Sequence, residues 1–455
     1  MKKAALFLFC FLALMPHAAS AVEYALDDLY RLALERSEAI KIAEEDTYIS
    51  MREKDRATAA LFPKLSAFGS HTKYSEEKRG ADSFIIQPEN STSWGLRLDQ
   101  SLSTSGRELT ALKIAKESIV KSGFDYDSVR EEYLLTVASD YYGLLKAKKA
   151  FEISNANVQR LTKHRDAAQV RLKVGEITKT VLLRAEAELA GAQSDLIRAE
   201  NSLKLAKVVL ARTAGIEGDY DVKESAVSGR QSAEKNAEVN ELAAGCGLTT
   251  IDCLRQTALS ERHELKSAES GKEIAQKEIR YTKGLYWPSL SVEGVYARRE
   301  DSPASFFANK ESIYGALRLD YPFFEGGLRK AEVRQSEARF RQAEHRLNDL
   351  KDSVYVEVEN AYLNLITVSG VIEKLRAETE YAGDNYNAVT KQFQYGLADS
   401  IDVIDANTLL VTSERELANA EFDYQFAVLQ LRRATGTLLK TIVGRQGPVS
   451  NPAPQ

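Results

Sequence analysis

Residues Phe393 to Ala406 read FQYGLADSIDVIDA. Gly396 interrupts a helical pattern, Asp399 and Ser400 are good starters for a new helix, and two acids, Asp402 and Asp405, follow at once. The stretch predicts a tight reversal between two long helices. It has a twin at Leu172 to Ala185, LKVGEITKTVLLRA, in which Gly175 answers Gly396 at a shift of 221 residues. Only the second copy carries the acids. Val181 and Arg184 stand where the repeat places Asp402 and Asp405.

Outward from the twin turns, the same shift recurs. Leu96 to Asp99 (LRLD) matches Leu317 to Asp320 (LRLD), Gly106 matches Gly327, and Ala214-Gly215 matches Thr435-Gly436, all at 221. Phe62-Pro63 matches Trp287-Pro288, and Ala43 matches Ala268, at 225, so one loop differs by four residues. The chain is therefore two copies of one unit. The first repeat covers residues 22–216, a polar linker 217–249, the second repeat 250–436, and a loose tail 437–455.

Each copy has one order. A helical pattern runs over about 26–60 or 251–283 and ends at Pro63 or Pro288. Two strand-like segments follow, then a very long helical pattern over about 107–172 or 328–393. After the Gly turn a return helix runs to about Arg212 or Arg433. A helix of about 66 residues is about 100 Å long, and the two shorter helices, about 50 Å each, match it end to end. Most helical stability in proteins comes from packing, so a helix of that length is expected to be supported along its side rather than to stand alone as a long surface helix. Leu134, Tyr141, Leu144, Phe151 and Val158 form rows at seven-residue spacing that predict coiled-coil packing.

The strands, expected at about 64–74, 92–103, 289–298 and 312–323, alternate. Trp94, Leu96, Leu98 and Leu102 share one face and Arg97, Asp99 and Ser101 the other. Ile313, Leu317, Leu319, Tyr321 and Phe323 oppose Arg318 and Asp320. Residues 64–74 alternate poorly, because Leu65 and Ala67 share a face with His71 and Lys73. Phe62, Trp287, Tyr321, Phe323 and Phe324 sit at the helix ends of the strands, and Tyr74, Trp94, Tyr296 and Tyr314 toward the loops. Two aromatic belts around such alternation predict transmembrane strands. Four strands cannot close a barrel, yet closure is compulsory in lipid, so strands must be pooled between chains. The arithmetic alone leaves eight or twelve open.

The 455 residues carry 61 basic and 66 acidic side chains, a net charge of −5 that argues against nucleic acid as a partner. Residues 1–21 read as a signal peptide, with Lys2 and Lys3, an apolar run from Ala4 to Leu14, and Ala19-Ser20-Ala21 as cleavage site. In an exported protein Cys246 and Cys253 are expected to form a local disulfide, the alternative being two free thiols. His17, His71, His164, His263 and His345 show no metal-ligand spacing, and no nucleophile motif or phosphate-binding loop occurs. No enzyme activity and no cofactor are expected.

With these residues in view, the chain resembles the TolC-type outer-membrane efflux and secretion proteins. The resemblance rests on the duplicated order, on LRLDYPFFEGG at Leu317 to Gly327, and on FQYGLADSIDVIDANTLL at Phe393 to Leu410. It implies a mainly α fold with a small β part: long coiled-coil hairpins forming a periplasmic tunnel, and a twelve-stranded barrel made by a homotrimer in the outer membrane. It implies a passive export channel whose partners are a periplasmic adaptor and an inner-membrane transporter of ABC or RND type.

It also implies that Asp402 and Asp405 line the periplasmic constriction and that Gly175, Glu176, Gly396 and Leu397 meet the adaptor. The simpler readings are that Asp402 stabilises a helix start and that the glycines only permit the turns. The family's tyrosine three residues before the Gly is Phe393 here, with Tyr395 nearby, and its arginine two residues after is Ala398. Arg184 then becomes a candidate latch, pairing with an acid across hairpins. The competing reading from another class is a periplasmic coiled-coil or adaptor protein without a pore, which predicts no barrel strands.

Overall fold

The computed structural model describes residues 22–80, 84–223, 250–304 and 309–446. The expected leader, Cys246, most of the linker and the end of the tail lie outside them. The chain divides into two compact units. One comprises Ala39–Val129 and Thr257–Glu357, and the other holds the remaining described residues.

The elements run β1 (Val22–Tyr24), α1 (Leu26–Arg36), α2 (Glu38–Ala59), β2 (Lys64–Lys73), β3 (Lys78–Arg79), β4 (Ile85–Gln87), β5 (Asn90–Ser103), α3 (Arg107–Lys173), α4 (Lys179–Ala214) and β6 (Tyr220–Val222). The second copy gives α5 (Thr250–Glu261), α6 (His263–Lys283), β7 (Ser289–Ser302), β8 (Glu311–Asp320), α7 (Leu328–Gln394), α8 (Ser400–Ala434) and α9 (Leu438–Gln446). The two long helices are 67 residues each, as the hydrophobic rows require.

The first unit holds a four-stranded antiparallel sheet in the order β2-β5-β7-β8, so β2 and β8 are edges. The register places Leu65 opposite Leu98, Leu96 opposite Tyr296, Leu102 opposite Leu290, and Val292 opposite Leu317. Paired residues share a face, so these side chains make one apolar band. Leu65, Leu96, Leu98, Leu102 and Leu317 in it are solvent-exposed in the single chain, and Leu290 is half-buried. Burying a leucine is worth about 1.5–3 kcal/mol, which this band forgoes in water and recovers in hydrocarbon. The other face carries Arg97, Asp99, Glu293, Arg318 and Asp320, with Arg97 paired to Glu293 at 3.3 Å.

Poor alternation in 64–74 has a register explanation. His71 and Lys73 pair with Thr92 and Asn90 at the loop end of β5, above the apolar rows. One glycine is forced by packing. A Cβ on Gly95 would lie 2.1 Å from the Tyr296 carbonyl oxygen and 2.8 Å from Phe68, whose ring fills the space. The sheet excludes the pore-less reading, which predicts no such strands.

Four expectations are corrected. The first helix of each copy is not continuous. It breaks at Ser37 (φ −64°, ψ 124°) and at Arg262 (φ −62°, ψ 127°), positions equivalent at the 225 shift. The extended ψ at each break interrupts the i→i−4 ladder, although both residues still close the preceding turn with an N–H to Ala33 or Ala258. Strands β5 and β7 run 14 residues, longer than expected, while β8 stops at Asp320, so Tyr321 to Phe323 lie below the strand. The linker's first residues form β6, paired in parallel with β1. The tail is not loose from residue 437. Leu438–Gln446 is helical, and Leu438, Leu439 and Ile442 are buried with Leu29, Tyr30, Tyr141 and Leu210. The buried Glu131 carboxylate accepts from the Leu439 N–H at 3.2 Å, satisfying one of the first-turn donors of α9.

Candidate pore mouth at the hairpin tips

Helices α3 and α4 form one hairpin, and α7 and α8 the other. Gly175 (φ 81°) and Gly396 (φ 76°) take the left-handed conformation that a helix C-terminus needs, where a side chain is strained. The N–H groups of Glu176 and Leu397 return to the carbonyls of Arg171 and Gln392 at 2.9 and 2.8 Å, so the two turns are equivalent in their bonds as in their sequence. Tyr395 and Leu397 are 81% and 79% exposed. Glu176 and Gly175 are also exposed. The adaptor candidates Gly175, Glu176, Gly396 and Leu397 are thus all exposed at their turns.

The second tip starts its helix with a full capping box. Asp399 accepts from the N–H of Ile401 (2.7 Å) and Asp402 (3.1 Å), and the Asp402 carboxylate accepts from the Asp399 N–H at 3.0 Å. Asp402 therefore has a structural role of its own. Asp405 does not. It is exposed, one turn further along, and makes no hydrogen bond or ion pair among the described residues. Arg184 is likewise exposed and has no ion-pair partner among the described residues, so the expected pairing with an acid is not made within one chain.

The two tips are joined instead through Phe393, which is 3% exposed. The Arg171 guanidinium lies 4.8 Å over its ring and donates to its carbonyl oxygen at 2.8 Å, while also donating to Glu176 at 2.9 Å. The His164 ring packs on the same phenyl at 5.0 Å between centroids, and its Nε2 is 2.8 Å from the Ser400 hydroxyl. Burial pushes the His164 imidazole below its ordinary value. Deeper in the same unit Asn407 donates to Asn157 at 2.7 Å and Arg160 forks onto Glu414 at 3.2 and 3.0 Å. The first hairpin thus grips the second by cation, imidazole and amide.

Sequence reasoning singled out Phe393, gave Arg171 no role, and read Ser400 only as a helix starter and His164 only as a histidine without metal-ligand spacing. The signal was present in the repeat. Arg171 and His164 stand where the second copy has Gln392 and Asn385, and Ser400 where the first has Lys179. Cys253 is buried on α5, and its expected partner is outside the described residues. No helix among the described residues is long and apolar enough to cross a membrane, which says nothing of the sheet.

Comparison with known proteins gives a consistent picture. The profile of the family described as "Outer membrane efflux protein" matches residues 29–216 and 254–437. The chain is 23% identical over 417 residues to "Outer membrane protein TolC" of Escherichia coli, covering 91% of this chain and 82% of that protein. It is 24% identical over 444 residues to "Alkaline protease secretion protein AprF" of Pseudomonas aeruginosa, covering 94% and 87%. Its fold matches the crystal structure of the Campylobacter jejuni CmeC outer membrane channel with a TM-score of 0.79 at 14% identity, over 91% of this chain and 86% of that one.

Proposed function

Because the chain belongs to the outer membrane efflux protein family, the TolC-type channels of the outer membrane, with both of its repeats matched, we propose that three copies close into one export conduit. Each copy contributes four strands to a twelve-stranded barrel, and its hairpins contribute to a periplasmic tunnel. The observation that carries this is the sheet. One face is an exposed leucine band, the other is charged, and β2 and β8 are bare edges. In lipid such edges must be paired, and the partner with the right strand is another copy.

The conduit works with a periplasmic adaptor docked on the exposed turns around Gly175, Glu176, Gly396 and Leu397, and with an inner-membrane ABC or RND-type transporter. Its gate is the tip. Within a copy, Arg171 and His164 hold Phe393 and keep the two hairpins together. Between copies, Asp405, with Asp402 beside it, forms a threefold ring of carboxylates at the mouth, and Arg184 is the cation placed to meet a neighbour's acid. Such a ring favours cations and binds polyvalent cations. The tunnel chemistry selects little, so the choice of cargo belongs to the transporter.

The gate is tested on the residue with no other role. Asp405→Asn in the purified channel should abolish most block by trivalent cations in planar bilayers and reduce cation preference. Asp402→Asn should do so while also weakening the α8 start by about 0.3–1 kcal/mol, because its amide oxygen can still accept from the Asp399 N–H but the charge that favours the helix dipole is lost. Undiminished trivalent block in Asp405→Asn would exclude this residue from the constriction.

A further inference from the structure

Contacts among the helices beneath the sheet follow the strand order. Thr47 of α2 donates to the Ser122 carbonyl of α3 at 3.4 Å, and the Ser122 hydroxyl donates back at 3.1 Å. Lys277 of α6 reaches Glu117 of α3 at 2.7 Å. Lys272 and Lys283 of α6 reach Glu344 and Glu337 of α7 at 2.9 and 3.2 Å. The sequence α2-α3-α6-α7 therefore repeats β2-β5-β7-β8. The outermost helices are α2 and α7, as the outermost strands are β2 and β8. Both join the sheet at the same end, α2 just before β2 and α7 just after β8. Pairing β8 of one copy with β2 of the next brings α7 of the first against α2 of the second, antiparallel.

The facing sides carry complementary charges that no ion pair among the described residues uses. On α7, Glu337, Glu344 and Lys351 repeat every seven residues and face α6, Lys351 lying 4.0 Å from Glu269. Arg339 and Arg346 repeat at the same interval two places on, about 200° round the helix, and so point away from α6. Both are exposed and form no ion pair among the described residues. Among nearby carboxylates, Glu332 is taken by Arg329, Glu337 by Lys283 and Glu344 by Lys272, while Asp349, three places after Arg346, forms no ion pair among the described residues.

On α2 the side toward α3 is marked by Thr47 and the buried Ile40 and Ala43. Glu45 lies two places before Thr47, about 160° away. It is exposed, without an ion pair among the described residues, and flanked by the exposed Ile42 and Ile49. Depth agrees as well. At 1.5 Å per residue from the sheet end of each helix, Glu45 is about 21 Å down, between Arg339 at about 17 Å and Arg346 at about 27 Å.

We propose that Glu45 of one copy is held between Arg339 and Arg346 of the next, with Ile42 and Ile49 packed beside the pair. This inference rests on the trimeric reading and names the surface by which one copy recognises another below the barrel. A lone exposed ion pair contributes little. Here two guanidinium groups share one carboxylate beside apolar side chains, and the arrangement recurs at each of the three seams. Its main effect is on register: it fixes which helix meets which, and at what height.

The test uses the full-length chain in the outer membrane. Detergent-resistant oligomers are extracted and the temperature at which they dissociate is measured. Glu45→Arg alone, and Arg339→Glu with Arg346→Glu, should each lower that temperature or lose the oligomer. The variant carrying all three changes should recover most of it, which a general folding defect cannot do. Independently, Glu45→Cys combined with Arg346→Cys should give a disulfide-linked ladder ending at three chains, whereas each single cysteine variant should not. Single reversals that leave dissociation unchanged, with no cross-linking, overturn the seam while the trimer stands. A wild-type chain that yields no oligomer overturns the seam and the trimeric reading together.

Discussion

In the proposed gate, Arg171 is the side chain on which the contact between the two tips depends most. It makes two charged hydrogen bonds and covers an aromatic face, and its side chain is 20% exposed. Charged hydrogen bonds contribute about 1.5–3 kcal/mol and a cation–π contact about 0.5–1. A net loss of about 2 kcal/mol on Arg171→Ala would shift the tip equilibrium by roughly 30-fold. Single-channel recording should therefore show a large rise in open time, and Arg184→Ala should raise leak if it meets a neighbour's acid. His164 adds a pH dependence. Its folded value is lowered by burial from one near 6.5, so between the two values the unfolded chain binds more protons. The contact's stabilisation is complete above about pH 6.5 and is lost as pH falls through that value toward the lowered one. Wild-type channels should open more readily at pH 5.5 than at pH 7.5, and His164→Gln should flatten the difference. At this scale the sequence was legible where a residue's local chemistry is self-contained: the turn glycines and the Asp399 cap follow from neighbours in the chain. It was not legible for Arg171 or His164, whose partners are about 220 to 240 residues away and are set by the packing of two hairpins.

Among the elements, the long helices and the membrane strands were readable because each repeats one period over many residues. Breaks were not. Ser37 and Arg262 interrupt helices without Gly or Pro, and only their equivalence in the repeat marks them as designed features. Arg262 is 4% exposed at its side chain and bonds Glu264 and Glu357 at 3.3 and 2.5 Å, so its corner is tied down by two carboxylates. The short helix α9 escaped notice because nine residues give too little periodicity, and its tertiary contacts decide it. Leu438→Asp should cost about 3 kcal/mol or more, since it removes a fully buried side chain and buries a charge, and the melting temperature of the detergent-solubilised channel should fall. In the sheet, Gly95→Ala should displace Phe68 or part β5 from β7, seen as poorer membrane assembly.

At the scale of the whole molecule, duplication supplies two hairpins and four strands from one plan, and the strand edges require further copies. Divergence between the repeats then gives the tips separate tasks: the first brings Arg171 and His164, and the second brings Phe393, Ser400 and the acids. The sequence showed that the charge was one-sided, and the structure showed that the Arg171 guanidinium and the His164 imidazole of the first tip contact the second. What no single chain displays is the closed ring. The measurement that tests it most directly is conductance in planar bilayers of the heat-dissociable oligomer purified from outer membranes. The account predicts discrete channels that are blocked by trivalent cations from the tip side and whose unit disappears when the oligomer is heated to monomers. A chain recovered as a monomer from the soluble fraction, or an oligomer that conducts nothing even with Arg171→Ala, would contradict it.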